Sequence, residues 1–240
     1  MIILVTGGSS GLGEAITRKI AGDPNCKVYF TYNQSETNAK KIESDFPNAI
    51  AFKCNFRNED DIEFLKEQII KLNIDILINN AYFGEPIKSY FHKIPASDFL
   101  LDFKENIIPT VILTQAAINC FRKKKFGKII SISTSFLINT PPTGCSVYVA
   151  NKAYLEQLSK IWAVENAKYN IVSNCISPSF MLTNFTKTVD DRVIEQMTEN
   201  HPLKKLLTPE EVAESVFFLL NATQQINGLN IILNSATSIK

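Results

Sequence analysis

A chain of 240 residues, 45% of them hydrophobic, is long enough for one large core and short for two independent ones, so a single α/β domain over 1–240 is expected. Its 25 basic and 24 acidic residues leave a net charge of +1 with no long basic face, which argues against nucleic acid as a partner, and no run of 18 uncharged apolar residues offers a membrane span. Five cysteines (Cys26, Cys54, Cys120, Cys145, Cys175) lack any CxxC spacing, and the N-terminus MIILVTGG has no basic region. Together these predict reduced thiols, no metal centre and a cytoplasmic protein.

Apolar runs of four to six residues alternate with longer amphipathic stretches. IILV (2–5), KVYF (27–30), AIAF (49–52), DILIN (75–79) and KIISIS (128–133) read as strands; 13–21, 59–72 and 102–121, where apolar residues recur at three and four, read as helices. A long helix over 146–167, a strand at 170–177, a helix over 209–220 with Thr208 at its cap and Pro209 in its first turn, and a strand at 230–233 complete the series. Such alternation predicts repeated βαβ units in a Rossmann-like, doubly wound parallel sheet with helices on both faces. A ligand crevice is expected at the carboxyl ends of its strands.

The first strand runs directly into TGGSSGLG, 6–13, and then a helix. Glycines let backbone amides approach a pyrophosphate, and the helix N-terminus adds partial positive charge, so this turn is a dinucleotide site or, more plainly, a tight βα connection. The spacing of Gly7, Gly11 and Gly13 departs from the common G-x-G-x-x-G. Further on, YVANK sets Tyr148 and Lys152 one turn apart on one helix face. Such a pair is packing or acid chemistry: a cation beside a phenol lowers a pKa that is otherwise near 10, and so readies it for proton exchange near neutrality.

Taken in order, TGxxxGxG at 6–13, NNA at 79–81, Asn106, the serine-bearing strand end at 131–135, YxxxK at 148–152, Asn174 with Pro178 in NCISP, and Thr183 resemble the short-chain dehydrogenase/reductase family end to end. The layout is nearest to its bacterial 3-oxoacyl-acyl-carrier-protein reductases. The resemblance implies a nicotinamide nucleotide held by Thr6, Gly7, Ser9, Ser10, Gly11, Leu12 and Gly13, by Tyr32, Asn33, Gln34 and Ser35 after the second strand, by Asn55 and Phe56 near the adenine, by Asn79, Asn80 and Ala81, and by Tyr148, Lys152, Pro178 and Thr183. It implies Tyr148 as the acid, its phenolate favoured by Lys152 and by the positive ring of the oxidised nicotinamide, Lys152 also as ribose ligand, and Asn106 as the anchor of a water in a proton relay, with cofactor binding mainly in 1–130 and the catalytic groups and a substrate lid in 131–240. The carbonyl-orienting hydroxyl is Ser135 when counted back from the tyrosine, and Thr134 when counted along the strand; Ser135 is preferred with Thr134 in reserve.

Enzymes preferring NAD carry an acidic residue about 20 residues beyond the glycine turn. Here that position holds Tyr32 followed by Asn33, Gln34 and Ser35, without a carboxylate to repel a 2′-phosphate, so NADP is expected, with NAD the alternative in the absence of any confirming arginine. Several family glycines are missing: NNAG reads NNAY with Tyr82, PG reads Pro178-Ser179, GG reads Ser235-Ala236, and the aspartate near the adenine is Asn55. Tyr82 must swing away or narrow the site.

The segment between Pro178 and Pro202 matches the family's mobile lid, in which Phe180, Met181, Leu182 and Phe185 offer apolar contacts or plain packing. RKKK, 122–125, lies where the carrier-protein reductases have a basic patch; it is either a docking site for an acyl carrier protein or a solvated helix end. The family pairs the helices corresponding to 102–121 and 146–167 into homodimers or homotetramers. The leading expectation is an NADP(H)-dependent ketoreductase of small or carrier-linked ketones, with a 3-oxoacyl thioester as candidate substrate. Its rivals are a catalytically weak nucleotide sensor or partner subunit, and an NAD-dependent dehydrogenase of a small alcohol or sugar.

Overall fold

The computed structural model describes residues 1–138, 140–183, 186 and 189–237. Seven strands, β1 (Ile2–Val5), β2 (Lys27–Tyr32), β3 (Ala49–Lys53), β4 (Ile76–Asn79), β5 (Gly127–Ile132), β6 (Ile171–Pro178) and β7 (Asn230–Leu233), form one parallel sheet in the order β3-β2-β1-β4-β5-β6-β7. Seven α-helices connect or flank them: α1 (Gly11–Ala21), α2 (Glu36–Asp45), α3 (Glu59–Leu72), α4 (Ala96–Lys124), α5 (Ser146–Asn166), α6 (Asp191–Asn200) and α7 (Pro209–Asn221).

Period-two alternation sorts each strand onto two cores. Ile3, Val5, Val28, Phe30, Ile76, Ile78, Ile130 and Ile132 face α1, α2 and α7, where Ile16, Ile20, Ile42, Val212, Val216 and Leu219 are buried. Leu4, Tyr29, Leu77 and Ile129 face the other way onto Leu65, Ile69, Leu113, Ala117 and Trp162 of α3, α4 and α5. The strand order reverses where β1 pairs β4, Val5 opposite Ile78, so the ends of these strands open the crevice expected at a switch point.

The structure adds elements that periodicity misses. In α2 only Ala39 and Ile42 are buried, too few to read as a stripe, and in α6 no residue is buried although Val193, Ile194 and Met197 fall at helical spacing. Helix α4 starts at Ala96, not 102, and continues through Pro109. Helix α7 carries the expected Thr208 cap as a full capping box with Glu211. All five cysteines are free. Among the described residues no helix is long and apolar enough to cross a membrane, and no cluster of candidate metal ligands occurs.

Candidate active site

The crevice begins at the turn after β1. Gly7 has φ +65°, a left-handed backbone that brings it against the Ala81 backbone, and a Cβ on Gly13 would lie 2.0 Å from the Gly7 carbonyl oxygen. Only glycine fits at position 13, and the space left by the missing side chains is the cradle. Thr6 closes its floor: its hydroxyl donates to the Ile78 carbonyl and accepts from the backbone N–H groups of Asn80 and Ala81, both at 3.0 Å. The Asn80 amide donates to the Thr6 carbonyl at 2.9 Å, stitching the ends of β1 and β4 together.

Around this cradle a cavity of about 490 Å³ is lined by Gly7, Ser9, Ser10, Gly11, Leu12, Gly13, Tyr32, Asn33, Gln34, Ser35, Phe56, Asn80, Ala81, Tyr148, Lys152, Pro178 and Thr183, seventeen of the residues named from sequence. Three nucleotide candidates lie outside it. Thr6 acts beneath the floor as above, Asn79 is buried with its amide on the Thr114 hydroxyl at 3.0 Å, and Asn55 lines a neighbouring recess that shares Asn33 and Gln34 with the main cavity. That recess is also lined by Lys53, which parallel pairing sets beside Tyr32, and by Asp61, whose carboxylate accepts the Asn55 N–H at 2.7 Å. Sequence reading missed Lys53 because it lies 21 positions from Tyr32 and only strand register joins them.

Tyr148 and Lys152 leave the first turns of α5 on one face, both buried, and meet the cavity from the side of β5 and β6. The Lys152 ammonium donates to the Ile132 carbonyl at 2.7 Å and lies 5.8 Å from the centre of the Tyr148 ring. Burial lowers its pKa to about 8, against the raising effects of Cys175 and Asp102. Burial likewise pushes the Tyr148 phenol up to about 12, opposed by a hydrogen bond from Thr134. In the protein by itself desolvation outweighs the lysine at this phenol; the expected lowering draws on Lys152 together with the positive ring of an oxidised nicotinamide.

The hydroxyl bonded to Tyr148 belongs to Thr134, which the sequence reading held in reserve. Thr134 sits at the end of β5, where it also caps a short 3-10 turn, Ser135–Leu137, by accepting the Phe136 N–H at 3.3 Å. Ser135 is the first residue of that turn and is 2% exposed; neither it nor Thr134 lines the cavity, and Thr134 is set apart by its bond to Tyr148. Nor does Asn106 reach it: its side-chain oxygen accepts the Phe83 N–H at 2.5 Å, and its amide donates to the Phe83 carbonyl at 3.4 Å. The Asn106 main-chain carbonyl accepts from the Thr110 hydroxyl at 2.9 Å. Ser133, named only within the strand end, does line the cavity; its buried hydroxyl has no partner among the described residues and so offers a bond to a ligand.

On the lid, Met181 and Thr183 line the cavity, Leu182 is 53% exposed, and Phe185 lies outside the described residues. Two of the four basic residues at the end of α4 are occupied: Arg122 donates to the Asn166 side chain at 2.7 Å and stacks on Tyr169, while Lys124 pairs with Asp75 at 2.7 Å and bonds the Asn73 and Ile74 carbonyls. Lys123 and Lys125 are exposed.

A glycine cradle at the switch point of a parallel sheet, with an unpartnered hydroxyl in its wall and a buried tyrosine, lysine and threonine beside it, defines a nucleotide-dependent oxidoreductase. The comparisons agree. The family described as enoyl-(acyl carrier protein) reductase matches residues 7–235. A 3-oxoacyl-acyl-carrier-protein reductase of Aquifex aeolicus is 32% identical over 91% of this chain and 89% of its own, and an L-fucose dehydrogenase of Bos taurus is 26% identical over 99% and 89%. A solved short-chain dehydrogenase/reductase family protein superposes with a TM-score of 0.86 at 27% identity, covering 98% of this chain and 96% of its own. The chain belongs to the short-chain dehydrogenase/reductase family and is one of its oxidoreductases.

Proposed function

We propose that this enzyme is an NADP(H)-dependent ketone reductase whose substrates include 3-oxoacyl thioesters. The observation that carries the reading is the buried pair of Tyr148 and Lys152 in the wall of the cradle, one turn apart on α5, with the Thr134 hydroxyl bonded to the phenol from the end of β5. A bound nicotinamide nucleotide would supply the hydride and, once oxidised, a positive ring that favours the phenolate. Tyr148 gives its proton to the carbonyl oxygen as the carbon is reduced, and Thr134 orients that oxygen and stabilises its developing charge. Lys152, already stripped of water, is placed to hold the nicotinamide ribose. Asn106 fixes the backbone of the loop after β4 that forms one side of the site.

NADP is favoured over NAD because no carboxylate follows β2 in the cavity wall, and because Lys53 brings a cation to the recess lined by Asn33, Gln34 and Asn55, where a 2′-phosphate would lie and where the Asp61 carboxylate is engaged by the Asn55 N–H. The thioester reading draws on the reductase relative, while the L-fucose dehydrogenase relative supports sugar oxidation as a second reading. Docking of an acidic carrier protein would rest on Lys123 and Lys125, since Arg122 and Lys124 are held by structural bonds. Exposed Ile108 on α4 and Tyr154, Ile161 and Val164 on α5 support self-association through those helices in a cytoplasmic homo-oligomer.

Fluorescence titration with NADPH and NADH, followed by a panel of ketones including a 3-oxoacyl thioester and by L-fucose, tests the proposal. Tighter NADPH binding with thioester-dependent nucleotide oxidation is expected, and Lys53→Glu should weaken NADPH about tenfold while leaving NADH nearly unchanged, in line with one lost charge pair (~1.4 kcal/mol). Preference for NADH with fucose turnover would replace it by the second reading.

A further inference from the structure

Tyr82 stands where the family has a glycine, and the structure shows what holds it. Its hydroxyl donates to the Asp102 carboxylate, with 3.0 and 2.9 Å to the two oxygens, and the Asn151 amide donates to the same carboxylate at 2.6 Å. Asp102 lies on α4 and Asn151 on α5, so the carboxylate ties two packed helices to the loop after β4. Four residues along α4 from Asp102, Asn106 grips the next residue of that loop, Phe83, by its backbone. Two successive turns of one helix thus clamp two successive loop residues.

The clamped ring does not swing away from the site. It meets the Tyr148 ring edge-on, with centroids 5.2 Å apart and planes at 73°, and the Lys152 ammonium lies 5.5 Å from its centre. Phe136 packs edge-on against Tyr148 as well, with 6.5 Å between centroids. Burial and the Asp102 carboxylate hold the Tyr82 phenol well above the ordinary tyrosine range, so it remains a neutral donor to Asp102. Asn151, immediately before Lys152 in sequence, joins the clamp to the helix face that carries the reacting pair.

We propose that Asp102 is a positioning residue of this active site: by holding the Tyr82 hydroxyl together with Asn151, it fixes the Tyr82 ring as a rigid wall against Tyr148 and over Lys152. A ring tethered at its far end restricts the arc of the Tyr148 phenol and the width of the carbonyl pocket, where a glycine would leave both open. Truncating either end of the tether should cost turnover through misplacement of the acid, with nucleotide affinity preserved.

The inference rests on the ketoreductase reading, and the test separates the two. Tyr82→Phe keeps the ring and removes the tether; Asp102→Ala removes the carboxylate; Asp102→Asn keeps an acceptor of the same shape. Expected is a loss in kcat of about tenfold for Tyr82→Phe and for Asp102→Ala, no further loss in the double variant, partial recovery in Asp102→Asn, and NADPH affinity within about threefold throughout. Unchanged kcat in both single variants would overturn the proposal. In parallel, protein labelled with 3-fluorotyrosine is followed by fluorine NMR, the Tyr148 line being assigned with Tyr148→Phe. That line should shift or broaden in Tyr82→Phe and Asp102→Ala. Were the wild-type enzyme to bind nucleotide and reduce no ketone, the functional reading would fail and the fluorine spectra alone would decide, an unmoved Tyr148 line refuting the wall.

Discussion

Thr134→Ala is the perturbation that discriminates best between the two hydroxyls at the end of β5. In the structure Thr134 makes two bonds, accepting the Phe136 N–H at 3.3 Å and holding the Tyr148 phenol. Losing the first removes a cap from a three-residue turn, with an effect on stability of about 1 kcal/mol, well within the reserve of a domain this size. Losing the second removes a preorganised donor from the reacting oxygen, a change that typically lowers kcat by about 10²- to 10³-fold, or ~2.7–4 kcal/mol. Thr134→Ser should retain most activity, and Ser135→Ala should stay within about threefold of wild type because it is Thr134, not Ser135, that is bonded to the Tyr148 phenol. The pH dependence carries a second signature. The Thr134 bond lowers the Tyr148 pKa, so its loss raises that pKa further, and alcohol oxidation, which needs the phenolate, should shift its rising limb to higher pH. Initial rates by nucleotide absorbance in both directions, with nucleotide affinity by fluorescence, measure all of this. A hundredfold loss in Ser135→Ala with a near-normal Thr134→Ala would refute the assignment.

Tyr148→Phe should bind NADPH nearly as wild type does while losing at least about a hundredfold in turnover, the lower end of what a positioned acid contributes; single-turnover kinetics would check it. Lys128 on β5 is 4% exposed and donates to the carbonyls of Leu219, Leu220 and Ala222 at the end of α7, at 3.2, 2.8 and 2.6 Å. Lys128→Met strands those carbonyls and should destabilise by roughly 2–4 kcal/mol, read as a fall in Tm on the order of 5–15 °C. Lys152 binds fewer protons when folded than when unfolded between its folded pKa of about 8 and its model-compound value of 10.5, so its contribution to stability should rise with pH across that window. The wild type minus Lys152→Met difference in urea midpoint, taken without nucleotide at pH values spanning the window, should show that rise; a falling difference would contradict the burial of the lysine. Ala236, at φ +60°, is strained as any residue with a Cβ is there, and Ala236→Gly should raise stability by about 0.5–1 kcal/mol in thermal melts.

The strands and the glycine turn were legible because each is a local pattern. Alternation of Ile3, Leu4 and Val5 already separates the two cores, and Gly13 follows from the close approach it permits. Helix α2 was illegible because it buries only Ala39 and Ile42, and α6, although Val193, Ile194 and Met197 fall at helical spacing, lies in the stretch that reads as a lid. At the candidate site, residues fixed by register within one element fall on one cavity wall as their spacing predicts, as Tyr148 and Lys152 do. Groups brought in by tertiary contact were not: Lys53 reaches the nucleotide recess through strand pairing, and Asp102 reaches Tyr82 across a helix and a loop. Counting leaves both Thr134 and Ser135 open because they fall where β5 has ended at Ile132 and a short turn begins at Ser135, a boundary that single-residue counting cannot place.

The missing glycines make the same point from the opposite side, since a lost glycine does not mean a lost conformation. Ser235 and Ala236 replace a family pair of glycines and yet hold φ values of +51° and +60°, so the turn after β7 keeps the left-handed backbone that glycine would adopt freely. The surrounding fold supplies that constraint: the Ser179 N–H is bonded to the Leu233 carbonyl at 2.9 Å, and the Ala236 N–H to the Asn234 side chain at 3.1 Å. At Tyr82 the chain did the reverse, filling a vacated glycine position with a ring and building the Asp102 and Asn151 clamp that makes the ring part of the site. Departures from the family pattern therefore carry opposite meanings at the two ends of the molecule. Where the backbone geometry persists, substitution costs stability and leaves the glycine-lined crevice intact; where a new side chain gains its own hydrogen-bonded support beside Tyr148, it reshapes the cavity wall itself.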